Sequence, residues 1–254
     1  MAREAVAIIP ARLGSTRFPA KALAAETGKP LVVHVCEQAS KAKSVHRVVV
    51  ATDADEIRSA VESHGFEVVM TSVEHQNGTS RLAEASKALG LDDDQLVVNV
   101  QGDEPEIEPA VIDAAGKAGA QIDGIGVGTV VTRIFTDEDF RNPNIVKAVL
   151  GMDRGDARAA IYFSRAPVPF PRSSPGDPPC RHVGIYAYSV ASIRTYLDLT
   201  PSEIEQTESL EQLRWLAHGY PILASVVDSS HSGIDTPEQY RAFVERHFTK
   251  NDMI

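Results

Sequence analysis

Short apolar runs alternating with helix-patterned segments are what most constrains how this chain folds. The runs at 5–9 (AVAII), 47–51 (RVVVA), 66–70 (FEVVM) and 96–100 (LVVNV) are each five residues long and largely apolar. They are too short for helices and lack the strict alternation of a strand with one wet face, so they predict strands covered on both sides. Between them, helices are predicted at 30–42, opened by Pro30, at 54–64, closed by Gly65, and at 79–89. This order predicts a parallel sheet with helices on both faces.

After about residue 120 the pattern changes. Strand-like runs at 125–133, 145–150, 159–163 and 182–189 follow with fewer helices between them, predicting a more antiparallel second part. Residues 167–180 (PVPFPRSSPGDPPC) read as an irregular proline-rich loop. Two helices are expected to close the chain, opened by Ser202–Glu205 and Thr236–Gln239 in capping-box spacing. The glycines of 124–128 (GIGVG) lead into the β-branched run TVVT, so they predict a glycine-rich strand and not a dinucleotide loop. With 254 residues, 43% of them hydrophobic, the chain can form one domain over 1–254. Its first half, to about 120, is expected to bind a nucleotide, and 121–254 to complete the site.

The chemistry concentrates at strand ends, where ligands of open α/β sheets bind. Straight after the first strand, Arg12, Arg17 and Lys21 stand around Gly14, Ser15 and Thr16. Guanidinium and ammonium groups on a small-residue loop suit a polyphosphate, although a solvated basic turn has the same composition. Asp103, in 98–105 (VNVQGDEP), is placed to hold a divalent metal, with helix capping as the plain alternative. Asp235, in 233–240 (GIDTPEQY), is the candidate partner carboxylate. Strand alternation puts His182, Gly184, Tyr186 and Tyr188 on one face, where a cation, a gap and two hydroxyls suit a polyhydroxy acid. In 209–215 (SLEQLRW), Leu210, Leu213 and Leu216 are expected to form the buried stripe of a helix, leaving Glu211 and Gln212 for polar ligands.

Taken in order, these segments resemble the 3-deoxy-manno-octulosonate (Kdo) cytidylyltransferase family of lipopolysaccharide biosynthesis almost end to end. The segments that carry the resemblance are IIPARLGSTRFP, VATD, HQNGTSRLAE, VVNVQGDEP, NPNIVK, YFSRAPVPFPR, GIYAY, LEQLRWL and GIDTPE. The resemblance implies a Rossmann-like αβα nucleotidyltransferase fold, of the nucleotide-diphospho-sugar transferase type, with a mixed sheet. It further implies transfer of CMP from CTP to the anomeric hydroxyl of Kdo, with release of pyrophosphate. By the same resemblance, Arg12, Lys21, Asp103 and Asp235 are catalytic, and Asp103 and Asp235 hold Mg²⁺. Ala11, Arg12, Leu13, Gly14, Ser15, Arg17, Lys21, Gly78, Arg81 and Gln101 surround the nucleotide. Gln101, Arg165, His182, Tyr186, Glu211 and Gln212 surround the sugar acid, and a homodimer is implied. The chain departs from the family at Ala20, where glycine is usual, and at Ser80, where an acidic residue is usual. Another keto-sugar acid as acceptor, or a CTP-binding module without catalysis, are the alternative readings.

Composition narrows the partners. The net charge of −10 argues against a nucleic-acid surface, so the cationic loop has to act on a small anion. The two cysteines, Cys36 and Cys180, make no metal-binding or disulfide pattern. With no membrane-length apolar stretch, a cytoplasmic protein without membrane insertion is expected.

Overall fold

The computed structural model describes residues 4–14, 17–75, 77–172, 177–229 and 233–251, with residues 250 and 251 described by backbone only. In chain order come β1 (Ala5–Ala11), α1 (Leu31–Ala39), β2 (Val45–Thr52), α2 (Asp55–Glu62), β3 (Glu67–Met70) and α3 (Gly78–Ala88). Then follow β4 (Leu96–Asn99), α4 (Pro109–Ala120), β5 (Val127–Arg133), α5 (Asp137–Arg141), β6 (Lys147–Arg154), β7 (Ala157–Ser164) and β8 (Cys180–Ser189). The last are α6 (Val190–Asp198), α7 (Glu203–Glu208), α8 (Leu213–Ala217), β9 (Ile222–Val227) and α9 (Pro237–Asn251).

These elements form two compact units that interleave in sequence: Glu4–Leu91 and Asn99–Ile112 cluster with the residues after Ser229, and Asp92–Val98 clusters with Asp113–Ser229. In the first unit β2 pairs in parallel with both β1 and β3, as the apolar runs predict, but β3 is not covered on both sides as expected, since Glu67 and Met70 are exposed. Its strands carry Val6, Ile8, Ile9, Val49 and Val50 at 1% exposure or less. Helix α9 closes this unit, with Tyr240 and Phe243 packed on Leu31 and Ile234.

The second unit is mixed. β5 runs parallel to β9 and antiparallel to β8, and β7 pairs antiparallel with both β6 and β9. The glycine-rich 124–128 segment does lead into a strand, and the glycines serve close packing. A Cβ on Gly128 would stand 2.1 Å from Gly119 N of α4, so this helix rests directly on β5. Four elements go beyond the sequence reading: α4, α5, α6 and β9. The helix expected from Ser202 is broken, because Ser209 adopts a left-handed conformation (φ 53°, ψ 51°) that ends α7 before α8 begins.

Candidate active site

In the first unit a cavity of about 360 Å³ opens at the carboxyl end of β1. Pro10, Ala11, Arg12, Gly14, Arg17 and Lys21 line one side, and His75, Asn77, Gly78 and Arg81 another. Gln101, Gly102, Asp103 and Asp235 complete it. Of the residues predicted around the nucleotide, Ser15 lies outside the described residues, and Leu13 does not line the cavity but holds the loop, its carbonyl accepting a bond from Ala20 N at 3.2 Å. That bond closes the cationic loop, and Phe18 anchors it by packing against Tyr240 with the rings tilted (centroids 5.4 Å apart).

Asp103 and Asp235 are brought together by a backbone bond from Ile234 N to Asp103 O (2.8 Å). Gly102 permits the approach on the other side, since a Cβ there would meet Pro10 O at 2.8 Å. Lys21 fills the space between the carboxylates. Its Nζ donates to Asp103 Oδ2 (2.8 Å), Ile234 O (2.6 Å) and Asp235 Oδ1 (3.4 Å). Arg17 reaches Asp235 Oδ1 at 3.1 Å in an exposed pair. Two carboxylates converging on one cation offer hard oxygen donors suited to Mg²⁺, which takes one or two carboxylates and completes its shell from phosphates and water. Capping, the plain alternative for Asp103, is not its role here, because its Oδ2 accepts from Lys21 and the next helix starts only at Pro109.

Helix α3 points its N-terminus at this cavity, with Asn77 capping it through a bond from Ser80 N (2.9 Å). Arg81 is buried and fixed by Asp53 Oδ2 (2.8 Å) and Thr71 Oγ1 (2.5 Å). The serine at position 80 therefore does not leave Arg81 without an anchor. Asp53 ends the apolar run of β2 as Asp103 ends that of β4, so the same signal could have found it. His75 bonds Ser80 Oγ (3.1 Å) and makes a short contact with Glu84, whose second bond, from Ser72 N (2.9 Å), helps hold its carboxyl below the usual range.

The residues predicted around the sugar acid, Gln101 apart, lie in the second unit. His182 and Tyr186 share one face of β8, with ring centroids 5.3 Å apart, and Tyr188 stacks on Tyr186 at 5.9 Å. Gln212 Nε2 stands 3.5 Å from His182 Nδ1. His182 corrects the expected cation: burial lowers its pKa to about 3, so it is neutral. Thr129 fixes its tautomer. The Thr129 hydroxyl donates to Ile185 O (2.7 Å) and so accepts from His182 Nε2 (3.0 Å), leaving Nδ1 as an acceptor. The predicted helix stripe is also corrected, since Leu210, Glu211 and Gln212 precede α8, and Gln212 is buried at 6% exposure. Glu211 is exposed at its surface, yet surrounding protein desolvates its carboxyl and raises its pKa. Arg165 spends three donors on the carbonyls of Glu208 (2.7 Å), Pro143 (3.0 Å) and Ser209 (3.4 Å). Thr129, Lys147 and Glu208 support this site without having been singled out from the sequence.

A cavity joining a cationic loop, a helix N-terminus and two convergent carboxylates, Asp103 in the loop after β4 and Asp235 just before α9, defines a nucleotidyltransferase. The chain belongs to the cytidylyltransferase family, whose model matches residues 6–224. It is 47% identical over 245 residues to the 3-deoxy-manno-octulosonate cytidylyltransferase of Neisseria meningitidis serogroup B, covering 92% of this chain and 94% of that one. Identity to the protein of that name from Syntrophobacter fumaroxidans is 43%, over 94% and 95% of the two chains. Among solved structures, CMP:2-keto-3-deoxy-manno-octonic acid synthetase complexed with CTP superposes with a TM-score of 0.89 at 36% identity, covering 97% of this chain and 99% of that one. Apo UDP-glucose pyrophosphorylase, at 13% identity and a TM-score of 0.66, shares the fold, covering 97% of this chain and 99% of that one.

Proposed function

We propose that this protein transfers CMP from CTP to the anomeric 2-hydroxyl of 3-deoxy-manno-octulosonate, releasing pyrophosphate. The observation that carries this reading is the pair Asp103 and Asp235 converging beside Arg12, Arg17 and Lys21, in a chain so close to named cytidylyltransferases. Such a reaction asks mainly for positioning and for charge placed where charge develops. Arg12 and Arg17 are the phosphate ligands, with the α3 N-terminus adding backbone N–H groups. Arg81, locked by Asp53, holds its orientation without reorganising when the nucleotide enters.

Asp103 and Asp235 would hold Mg²⁺, which supplies positive charge where two carboxylates alone would repel a triphosphate by several kcal/mol. Lys21 would then turn from the carboxylates toward the phosphates. For the acceptor, Arg165 is the carboxylate ligand, and neutral His182, Gln212 and Tyr186 bind hydroxyls, with Glu211 at the same ligand. The homodimer is supported by apolar side chains exposed on and after the β6–β7 hairpin: Met152 (80%), Ile161 (61%) and Phe170 (82%). A cytoplasmic location fits these substrates, and among the described residues no helix is long and apolar enough to cross a membrane.

The test is a matrix of CTP, UTP and ATP against Kdo, a sialic acid and a sugar phosphate, read by pyrophosphate release. Turnover confined to CTP with Kdo is expected. Faster turnover with another acceptor would overturn the assignment of the sugar, and tight CTP binding with no turnover on any acceptor would overturn that of the reaction.

A further inference from the structure

Arg165 is held from two directions by groups that have no role in the reaction as described above. Glu208 grips it twice, its carboxylate Oε2 accepting from Arg165 N (2.9 Å) and its backbone carbonyl from Arg165 Nε (2.7 Å). The other carboxylate oxygen accepts from Ser164 Oγ (2.6 Å) and Tyr162 OH (3.4 Å), tying Glu208 to the end of β7. From the opposite side, Arg165 Nη1 meets Pro143 O at 3.0 Å. The turn carrying Pro143 is shaped by Lys147, fully buried, whose Nζ donates to Asn142 O (2.9 Å) and Ile145 O (2.6 Å).

The same frame reaches the neighbouring strand. Lys147 is registered opposite both Ser164 and Arg181, and His182 N donates to Val146 O (2.8 Å). Burial opposes ionisation of Glu208, but the bonds from Arg165 N, Ser164 and Tyr162 outweigh it and lower its pKa overall. A guanidinium has five N–H groups, and three are spent on carbonyls. Among the described residues nothing takes the other two, the number a bidentate carboxylate takes.

We propose that Glu208 is a positioning residue that, with Lys147 behind the Pro143 turn, aims the two remaining N–H groups of Arg165 at the carboxylate of the acidic acceptor. This rests on the assignment of Arg165 to a sugar acid made above. The energetic logic is preorganisation: three bonds fix the guanidinium plane before substrate arrives, so binding immobilises no flexible side chain.

The test compares the full-length protein with Glu208→Gln, using Kdo and its carboxamide as acceptors with saturating CTP. In the wild type, KM is expected to be much lower for the acid than for the amide. In Glu208→Gln, KM for the acid should rise about tenfold, the weight of one charge-assisted bond, while KM for the amide and for CTP stay within about twofold. A merely structural role would weaken acid and amide alike, as would a mild core variant such as Ile222→Val, and that result for Glu208→Gln overturns the proposal. Should Glu208→Gln not fold, Ser164→Ala, which removes one donor to the carboxylate, is expected to narrow the same acid-over-amide preference by a few-fold, and an unchanged preference overturns the proposal. A wild type that does not distinguish acid from amide would instead overturn the assignment of Arg165. Preference kept intact in Glu208→Gln overturns the positioning role alone.

Discussion

Ala20 carries a left-handed backbone (φ 52°, ψ 26°) one residue before Lys21. There a Cβ crowds the following carbonyl, at a cost of roughly 1–2 kcal/mol that glycine avoids. Ala20→Gly is therefore expected to raise the unfolding free energy by about 1 kcal/mol in urea titration, and a loss would show that the loop needs the side chain. The partners of Lys21 lead to a second prediction. Because its ammonium occupies the point shared by Asp103 and Asp235, Lys21→Met should bind Mn²⁺ more tightly without nucleotide, by about tenfold in paramagnetic-resonance titration. Equal or weaker binding would contradict the shared position. Asp103→Asn should fold normally by circular dichroism yet lose roughly 10²-fold or more in turnover. The sequence made Arg12 and Asp103 legible because each follows an apolar run that forms a strand, whereas Asp235 stands in irregular chain just before α9 and not at the end of a strand. The sequence did not reveal that Lys21 bonds the carboxylates before any ligand does, nor that Asp53 secures Arg81, since both depend on residues tens of positions apart.

Helix α4 and strand β5 show how packing overrides local preference. The helix contains Gly116 and Gly119, which lower its propensity, and so the segment gave no helical signal. Gly119 is nevertheless needed there, since a Cβ would stand 2.6 Å from Ala187 Cβ, and Gly128 faces it from β5. Gly128→Ala is expected to destabilise the protein by about 2–3 kcal/mol in chemical denaturation, as backbone atoms must move apart. A change under about 0.5 kcal/mol would mean that α4 is free to shift. Elements whose ends have side-chain chemistry were easier to read. The Ser202–Glu205 box forms in both directions (3.3 and 3.2 Å), and Thr236 caps α9 through Gln239 N (3.3 Å). The break at Ser209 was not legible, because its left-handed conformation is imposed by what surrounds it and not by a glycine.

Over the whole molecule, acid should act through two histidines that folding holds neutral. His34, sealed beneath Phe243 and His247 and bonded to Thr27 (2.7 Å), has its pKa lowered to about 4, chiefly by burial and then by Lys29. His182 is lowered to about 3 by burial. In the unfolded chain both titrate near 6.5, so the unfolded state binds more protons and stability falls as pH drops from about 6.5 toward 4. His34 alone should contribute roughly 2 kcal/mol of loss between pH 7.5 and 5, and His34→Leu should lessen the drop seen in urea titrations. A wild-type stability independent of pH over that range would contradict the sealed, neutral state of both rings. The net charge of −10 has a related consequence for function: an anionic substrate is attracted only where cations cluster, as they do at the end of β1. The most direct measurement is pyrophosphate release from CTP and Kdo with Mg²⁺, without it, and after EDTA followed by excess Mg²⁺. Release that depends on both substrates, stops with EDTA and returns with Mg²⁺ is predicted; no release from the folded protein with both substrates and Mg²⁺ present would contradict the account.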